Sequence, residues 1–187
     1  MAELKAALFL AKGFEEIEAV SIVDILRRGG MDISMVSVAG NEQVEGAHGI
    51  VVTADYNFYE VDYSKYDMLI LPGGMPGTTN LGAHEDLCEL IVSFHDDGKW
   101  LAAICAGPSV YGKLGILAGE EATCFPGFEK YLEGAKLSEL DVVVSNHFIT
   151  GKGPGLSMKF GLTILEQFMT LAEVEQLRKS MFIGKYS

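Results

Sequence analysis

A chain of 187 residues with 49% hydrophobic and 21% charged residues has the size and make-up of one globular domain, residues 1–187, with a sizeable core. Its net charge of −12 argues against non-specific nucleic-acid binding, which requires Lys and Arg to neutralise phosphates. No apolar run reaches the length of a membrane span, and Met1-Ala2-Glu3-Leu4-Lys5 lacks the basic start and long apolar stretch of a signal peptide.

Apolar runs alternate with helical patterns along the chain. Ala6 to Ala11 reads as a first strand. Glu15 to Arg28 reads as a helix with Ile17, Val20, Val23 and Ile25/Leu26 on one side, stopped by Gly29-Gly30. Ile33 to Ala39, Ile50 to Thr53 and Met68 to Leu71 read as strands. His84 to Asp97 reads as a helix with Leu87, Leu90, Ile91 and Phe94 inward. Trp100 to Ile104 is a strand that ends in Cys105-Ala106-Gly107-Pro108, a sharp turn into a further helix. Ala122 to Phe125 and Val142 to Val144 are the next strands, the latter paired with Phe148-Ile149-Thr150. A helix starts at Ser157 with Phe160, Ile164, Leu165 and Phe168 inward, and a last one covers about Ala172 to Phe182. Strands and helices in alternation with short connections predict an α/β fold, a parallel sheet covered on both faces.

Ligand sites in such sheets lie beyond the carboxyl ends of the strands. Four segments meet there: Lys12 to Glu18, Leu71-Pro72-Gly73-Gly74, the Cys105 elbow, and Gly153-Pro154-Gly155. The elbow aims the first free N–H groups of its helix at the thiol, so Cys105 is expected to ionise more easily than a free cysteine. Glu15 and Glu18 lie three apart on one helical face, with Glu16 pointing elsewhere. A carboxyl brought to the cysteine raises the thiol pKa if ionised and lowers it if burial keeps it protonated. Acids in a first helical turn also simply complement the dipole, so both readings of Glu15 and Glu18 stand. Gly73-Gly74 allows close backbone approach and, with the Ala106 N–H, could form an oxyanion hole.

Cys88 and Cys124 read as core thiols. The three cysteines cannot all pair within one chain, and none has CxxC or zinc spacing, so a reduced, cytoplasmic setting without metal or cofactor is expected. None of His48, His84, His95 and His147 is placed by sequence at the converging edge. His84 reads as a helix start, His95 as helix surface, and His48 and His147 as loop or strand-start residues.

Together, Ala11 to Glu18, Leu71 to Gly74, Ala102 to Pro108 and Gly153 to Gly155 resemble the ThiJ/PfpI superfamily. The closest likeness is to its parkinsonism-associated deglycase/chaperone branch and that branch's bacterial members. The motifs occur in the family's order across essentially the whole chain. The resemblance implies a flavodoxin-like three-layer sandwich of the class I glutamine amidotransferase-like type, assembled as a homodimer. It implies Cys105 as the reactive thiol, Glu18 as its protonated partner, and Gly74 and Ala106 as backbone donors. Glu15, Gly73, Gly153 and Pro154 complete the expected pocket. The activities implied are glyoxalase or deglycase action on reactive carbonyls, redox sensing through cysteine oxidation, and chaperone-like protection; some relatives hydrolyse peptides. Two positions depart from the family pattern. Phe125 stands where close relatives often carry a histidine, and Lys152 stands where they often carry arginine. A missing general base typically costs about 10²–10⁴ in rate.

Three functions follow as expectations. The first is a carbonyl-processing enzyme in which Cys105 forms a hemithioacetal. The second is a redox-sensing or protective protein whose Cys105 is oxidised to sulfinic acid, a reading that Phe125 favours. The third, a cysteine peptidase, is the weakest, because proteolysis normally uses an imidazole to protonate the leaving amine.

Overall fold

The computed structural model describes residues 4–184. In chain order the elements are β1 (Lys5–Leu10), α1 (Glu16–Arg28), β2 (Asp32–Ser37), β3 (Gln43–Glu45), β4 (Val51–Thr53), β5 (Tyr56–Asn57) and β6 (Met68–Leu71). They continue as α2 (Gly77–Ala83), α3 (Glu85–Asp96), β7 (Trp100–Ile104), α4 (Pro108–Lys113), β8 (Glu121–Ala122) and β9 (Lys136–Leu137). The last are β10 (Val142–Ser145), β11 (Phe148–Gly151), α5 (Ser157–Glu166) and α6 (Leu171–Ser180).

Seven strands form one sheet in the order β10-β11-β7-β6-β1-β2-β5. All neighbours run parallel except β10 and β11, which are antiparallel. Alternation along β1 shows how the layers form: Ala6, Leu8 and Leu10 face one side, and Ala7 and Phe9 the other. The first side packs against α1, α5 and α6 through Ile22, Leu26, Phe160, Ile164 and Val174. The second packs against α2, α3 and α4 through Leu81, Leu87, Ile91, Val110 and Tyr111. Central strands are therefore buried on both faces, which is why β6 and β7 read as continuous apolar runs. The result is the flavodoxin-like α/β sandwich that the pattern and the resemblance imply. Among the described residues no helix is long and apolar enough to cross a membrane.

Three expectations change. In α1, Ile17 and Val20 are 58% and 48% exposed, while Glu16 and Glu18 are buried with Ala19, Ile22, Val23, Ile25 and Leu26. Apolar residues surround this helix, so periodicity alone misjudges the rotation about its axis. The strand expected over Ile50 to Thr53 lies outside the main sheet, pairing with β3 as a separate hairpin. Only Ala122 of the expected strand over Ala122 to Phe125 is regular; Thr123 to Phe125 runs irregularly past the elbow.

Candidate functional site

Strand β7 ends at Ile104, and the next residue turns the chain. Cys105 has φ 63°, the left-handed region that a β-carbon normally avoids. Both sides of the residue are tied. Its N–H donates to the Gly151 carbonyl at 2.8 Å, and its carbonyl accepts from the Phe125 N–H at 2.8 Å. The Gly107 N–H then closes on the Ile104 carbonyl at 2.9 Å, leading into α4. The expected elbow is present, and its geometry is imposed by β11 and by the Phe125 segment.

Glu18 meets the thiol from α1. Its side chain is fully buried, and Oε2 accepts the Gly73 N–H at 2.6 Å. The Cys105 thiol faces the same carboxyl across Gly73. Gly73 leaves no room for more: a β-carbon there would stand 2.6 Å from Cys105 Cβ, 2.8 Å from Glu18 Oε2 and 2.9 Å from Cys105 Sγ. The N–H groups of Ala106 and Gly74 face the sulfur and favour its thiolate. Gly74 needs its φ of 90° and its missing side chain, because the Glu15 N–H and Gly13 carbonyl lie where a β-carbon would go.

Burial pushes the Glu18 carboxyl up to about 7, with the charge of Glu15 adding to it and the Gly73 N–H and Cys105 opposing. Burial is also the largest cause that pushes the Cys105 thiol up, to about 12, followed by the charge of an ionised Glu18 and its hydrogen bond. The Ala106 and Gly74 N–H groups pull the other way and are outweighed. The expected easy ionisation of this thiol is therefore reversed while Glu18 is ionised. Two of the three raising causes belong to Glu18 and vanish when it holds a proton. Around neutral pH the pair loses the first of its two protons, and that titration belongs to the pair.

Glu15 is the residue before α1 and is largely buried, with its side chain 13% exposed; its N–H donates to the Gly73 carbonyl at 2.9 Å. Gly153 is extended and lies under the Phe125 ring, 3.2 Å from where its β-carbon would stand. Pro154 follows and accepts from Ser157 Oγ at 2.7 Å. Lys152 is turned to Glu139, donating to its carbonyl at 2.6 Å. All four converging segments thus reach one edge.

The histidines divide. His84 caps α3 by accepting the Leu87 N–H at 3.1 Å, as expected. His95 and His147 meet each other, Nδ1 to Nε2, at 3.0 Å, with His147 immediately before β11. His48 lies on an exposed loop, as expected, but the fold brings that loop to the start of α1, 2.8 Å from Glu16 and 3.7 Å from Glu15. No local pattern marks it, because its partners lie more than thirty positions earlier in the chain. Glu15, Glu16 and His48 are the only three ligating groups within 4.8 Å of one another among the described residues. Glu16 already accepts the His48 N–H at 2.7 Å and the Ile50 N–H at 3.4 Å, so the group is a hydrogen-bonded latch on the 46–50 loop. Cys124 is buried as expected, whereas Cys88 is partly exposed, with its Sγ 3.5 Å from the Gly82 carbonyl.

A doubly wound sheet with a cysteine elbow and a buried acid at its carboxyl edge defines a class of α/β proteins. The chain belongs to the DJ-1/PfpI family, whose model it matches over residues 4–167. It is 37% identical over 167 residues to protein DJ-1 homolog B of Arabidopsis thaliana, covering 88% of this chain. The chain spans only 38% and 45% of the lengths of the two Arabidopsis relatives it matches. It is 34% identical to the Caenorhabditis elegans glutathione-independent glyoxalase DJR-1.2, over 99% of this chain and 100% of that protein. The structure of oxidized Toxoplasma gondii DJ-1 superposes with a TM-score of 0.93 at 33% identity, over 97% of this chain and all of that one.

Proposed function

We propose that the protein processes reactive carbonyl compounds or their adducts, as a glyoxalase or deglycase, with Cys105 as nucleophile. The observation that carries this is a juxtaposition: the fully buried Glu18 carboxyl faces the thiol of Cys105 across Gly73, at an elbow held at φ 63°. With methylglyoxal, the sulfur adds to the aldehyde carbon and the carboxylate of Glu18 takes the thiol proton. The Gly74 and Ala106 N–H groups hold the alkoxide oxygen of the hemithioacetal. Glu18 passes that proton to the alkoxide, then as a carboxylate takes the proton from the aldehyde carbon and returns it to the neighbouring one through an enediol, leaving a thioester on Cys105. Water hydrolyses the thioester to lactate and returns the thiol, so the reaction involves no net oxidation. Phe125 takes no part in proton transfer, which leaves those steps to Glu18 and water. The name of the C. elegans relative supports this substrate class.

Purified protein incubated with methylglyoxal is expected to form lactate, with a rate that rises as pH passes through about 7 and Glu18 ionises. No lactate above a Cys105→Ala control overturns the reading.

A second reading, redox sensing, is favoured by the same two N–H groups, which would hold a sulfinate oxygen. Peptide mass spectrometry after mild peroxide should show Cys105 oxidised first; earlier oxidation of Cys88 or Cys124 rules it out. A peptidase reading has no imidazole in the place of Phe125 to support it. For assembly we propose a homodimer, with Ile17 and Val20 of α1 and Ile50 and Val51 exposed by 48–58% as the apolar patch for the second copy. Light scattering should show a dimer that Ile17→Asp dissociates.

A further inference from the structure

His48 lies beside the site but has no part in the chemistry proposed for it. Its ring Nδ1 stands 2.8 Å from Glu16 Oε2 and 3.7 Å from Glu15 Oε1, beside the apolar face assigned above to the second copy. The two acids have different tasks. Glu16 is the nearer partner of the His48 ring and also accepts the His48 and Ile50 N–H groups, which fastens the loop. Glu15 has His48 as its ion-pair partner, and its charge acts on Glu18, three residues further along α1. Glu18 in turn faces Cys105 and the Gly73 N–H. The next charges out, Lys12 and Glu45, pair with each other at 3.7 Å. A chain of charge contacts therefore runs from the 46–50 loop to the sulfur: His48, Glu15, Glu18, Cys105.

We propose that His48 is a positioning residue for this site: its imidazolium is the counter-charge of Glu16 and Glu15, and it sets how readily the Glu18–Cys105 pair gives up the first of its two protons. This rests on the reading of Cys105 as the working thiol. The physical reason does not depend on which atom keeps the remaining proton. Losing one proton leaves the pair at one negative charge, and a nearby cation favours that state. When His48 loses its own proton, Glu15 acts on the pair unopposed and holds the proton in place. Both acids beside His48 favour its protonated form, so the switch falls above the ordinary imidazole range. The site is thus most readily charged when the loop is protonated, the opposite of a histidine acting as a base on the thiol.

The test is the pH profile of Cys105 alkylation by iodoacetamide, with the product assigned by peptide mass so that Cys88 and Cys124 are counted separately. In His48→Gln the apparent pKa near neutrality is expected to rise by about half a pH unit, the scale of one partly screened charge. In His48→Arg, which keeps the charge at all pH values, it is expected to return to the native value or below. An unchanged profile in His48→Gln overturns the proposal. Equal shifts in the Gln and Arg variants also overturn it, because loop anchoring rather than charge would then be responsible. Should His48→Gln not fold, Glu15→Gln carries the test and is expected to lower the apparent pKa; no change overturns the proposal. The outcomes separate from those of the carbonyl reading. A His48-dependent profile without lactate formation rejects only that reading, and lactate formation with a His48-independent profile rejects only this one.

Discussion

Two corners of this molecule adopt the same unusual backbone for different reasons. Asn146 joins β10 to β11 at φ 49°, and Cys105 joins β7 to α4 at φ 63°. Asparagine visits the left-handed region readily, and Asn146 is exposed, with its amide donating to Glu120 at 2.7 and 2.9 Å. Its residue type suits its conformation. Cysteine has no such preference, and Cys105 is held in place by β11 on one side and the Phe125 segment on the other. Its side chain meets a buried acid whose Oε1 has no conventional hydrogen-bond partner. Strain is relieved at the turn and retained at the elbow, where it aims the sulfur between Glu18 and two N–H groups.

Substitutions can sharpen or break that contrast. The largest effect is expected from Gly73→Ala, whose β-carbon would meet Cys105 and Glu18 at 2.6–2.9 Å. It should cost about 3 kcal/mol or more in a urea titration and slow alkylation of Cys105. A milder loss would mean that the elbow yields as easily as a surface turn.

Glu18 gives the next effect, and its sign is definite. Its folded pKa is raised to about 7 from 4.5, so the stability it allows is fully present below 4.5 and is lost as pH rises through 7. The loss is about 3 kcal/mol, from about 1.4 kcal/mol per unit. Urea midpoints across this range should fall in the native protein relative to Glu18→Gln; parallel profiles would show that burial does not disfavour the charge. At the other corner, Asn146→Ala should cost about 1 kcal/mol, because alanine resists the left-handed region and removes the amide's bonds to Glu120, leaving that of Ser145. The smallest effect is a gain: Cys105→Gly should be more stable than Cys105→Ala by up to about 1 kcal/mol in thermal melts, since glycine relieves the strain. Equal melting temperatures would show that φ 63° stores nothing.

Much of the architecture is legible in short-range pattern. Met68–Leu71 and Trp100–Ile104 are recognisable as strands because both faces are buried and every residue is apolar. Strand β3 and the two-residue β5 are too short to carry alternation, and α2 follows its loop without a capping side chain. The burial of Glu16 and Glu18 is invisible for another reason. A helix with apolar residues all round does not declare its inward face, and α1 is oriented by packing on α5, where Gly161 sits under Ile25.

By itself the sequence determined the alternation of strands and helices, the bend at Cys105 and the acids at the start of α1. These depend on side-chain period, on glycine and proline at turns, and on neighbours a few residues away. Only the tertiary structure decided which acid faces the thiol, that Phe125 covers Gly153, and that His48 pairs with Glu15 and Glu16. It also decided the direction of the Cys105 pKa, because desolvation and charge act through space: the Gly73 N–H that holds Glu18 comes from 55 residues along the chain.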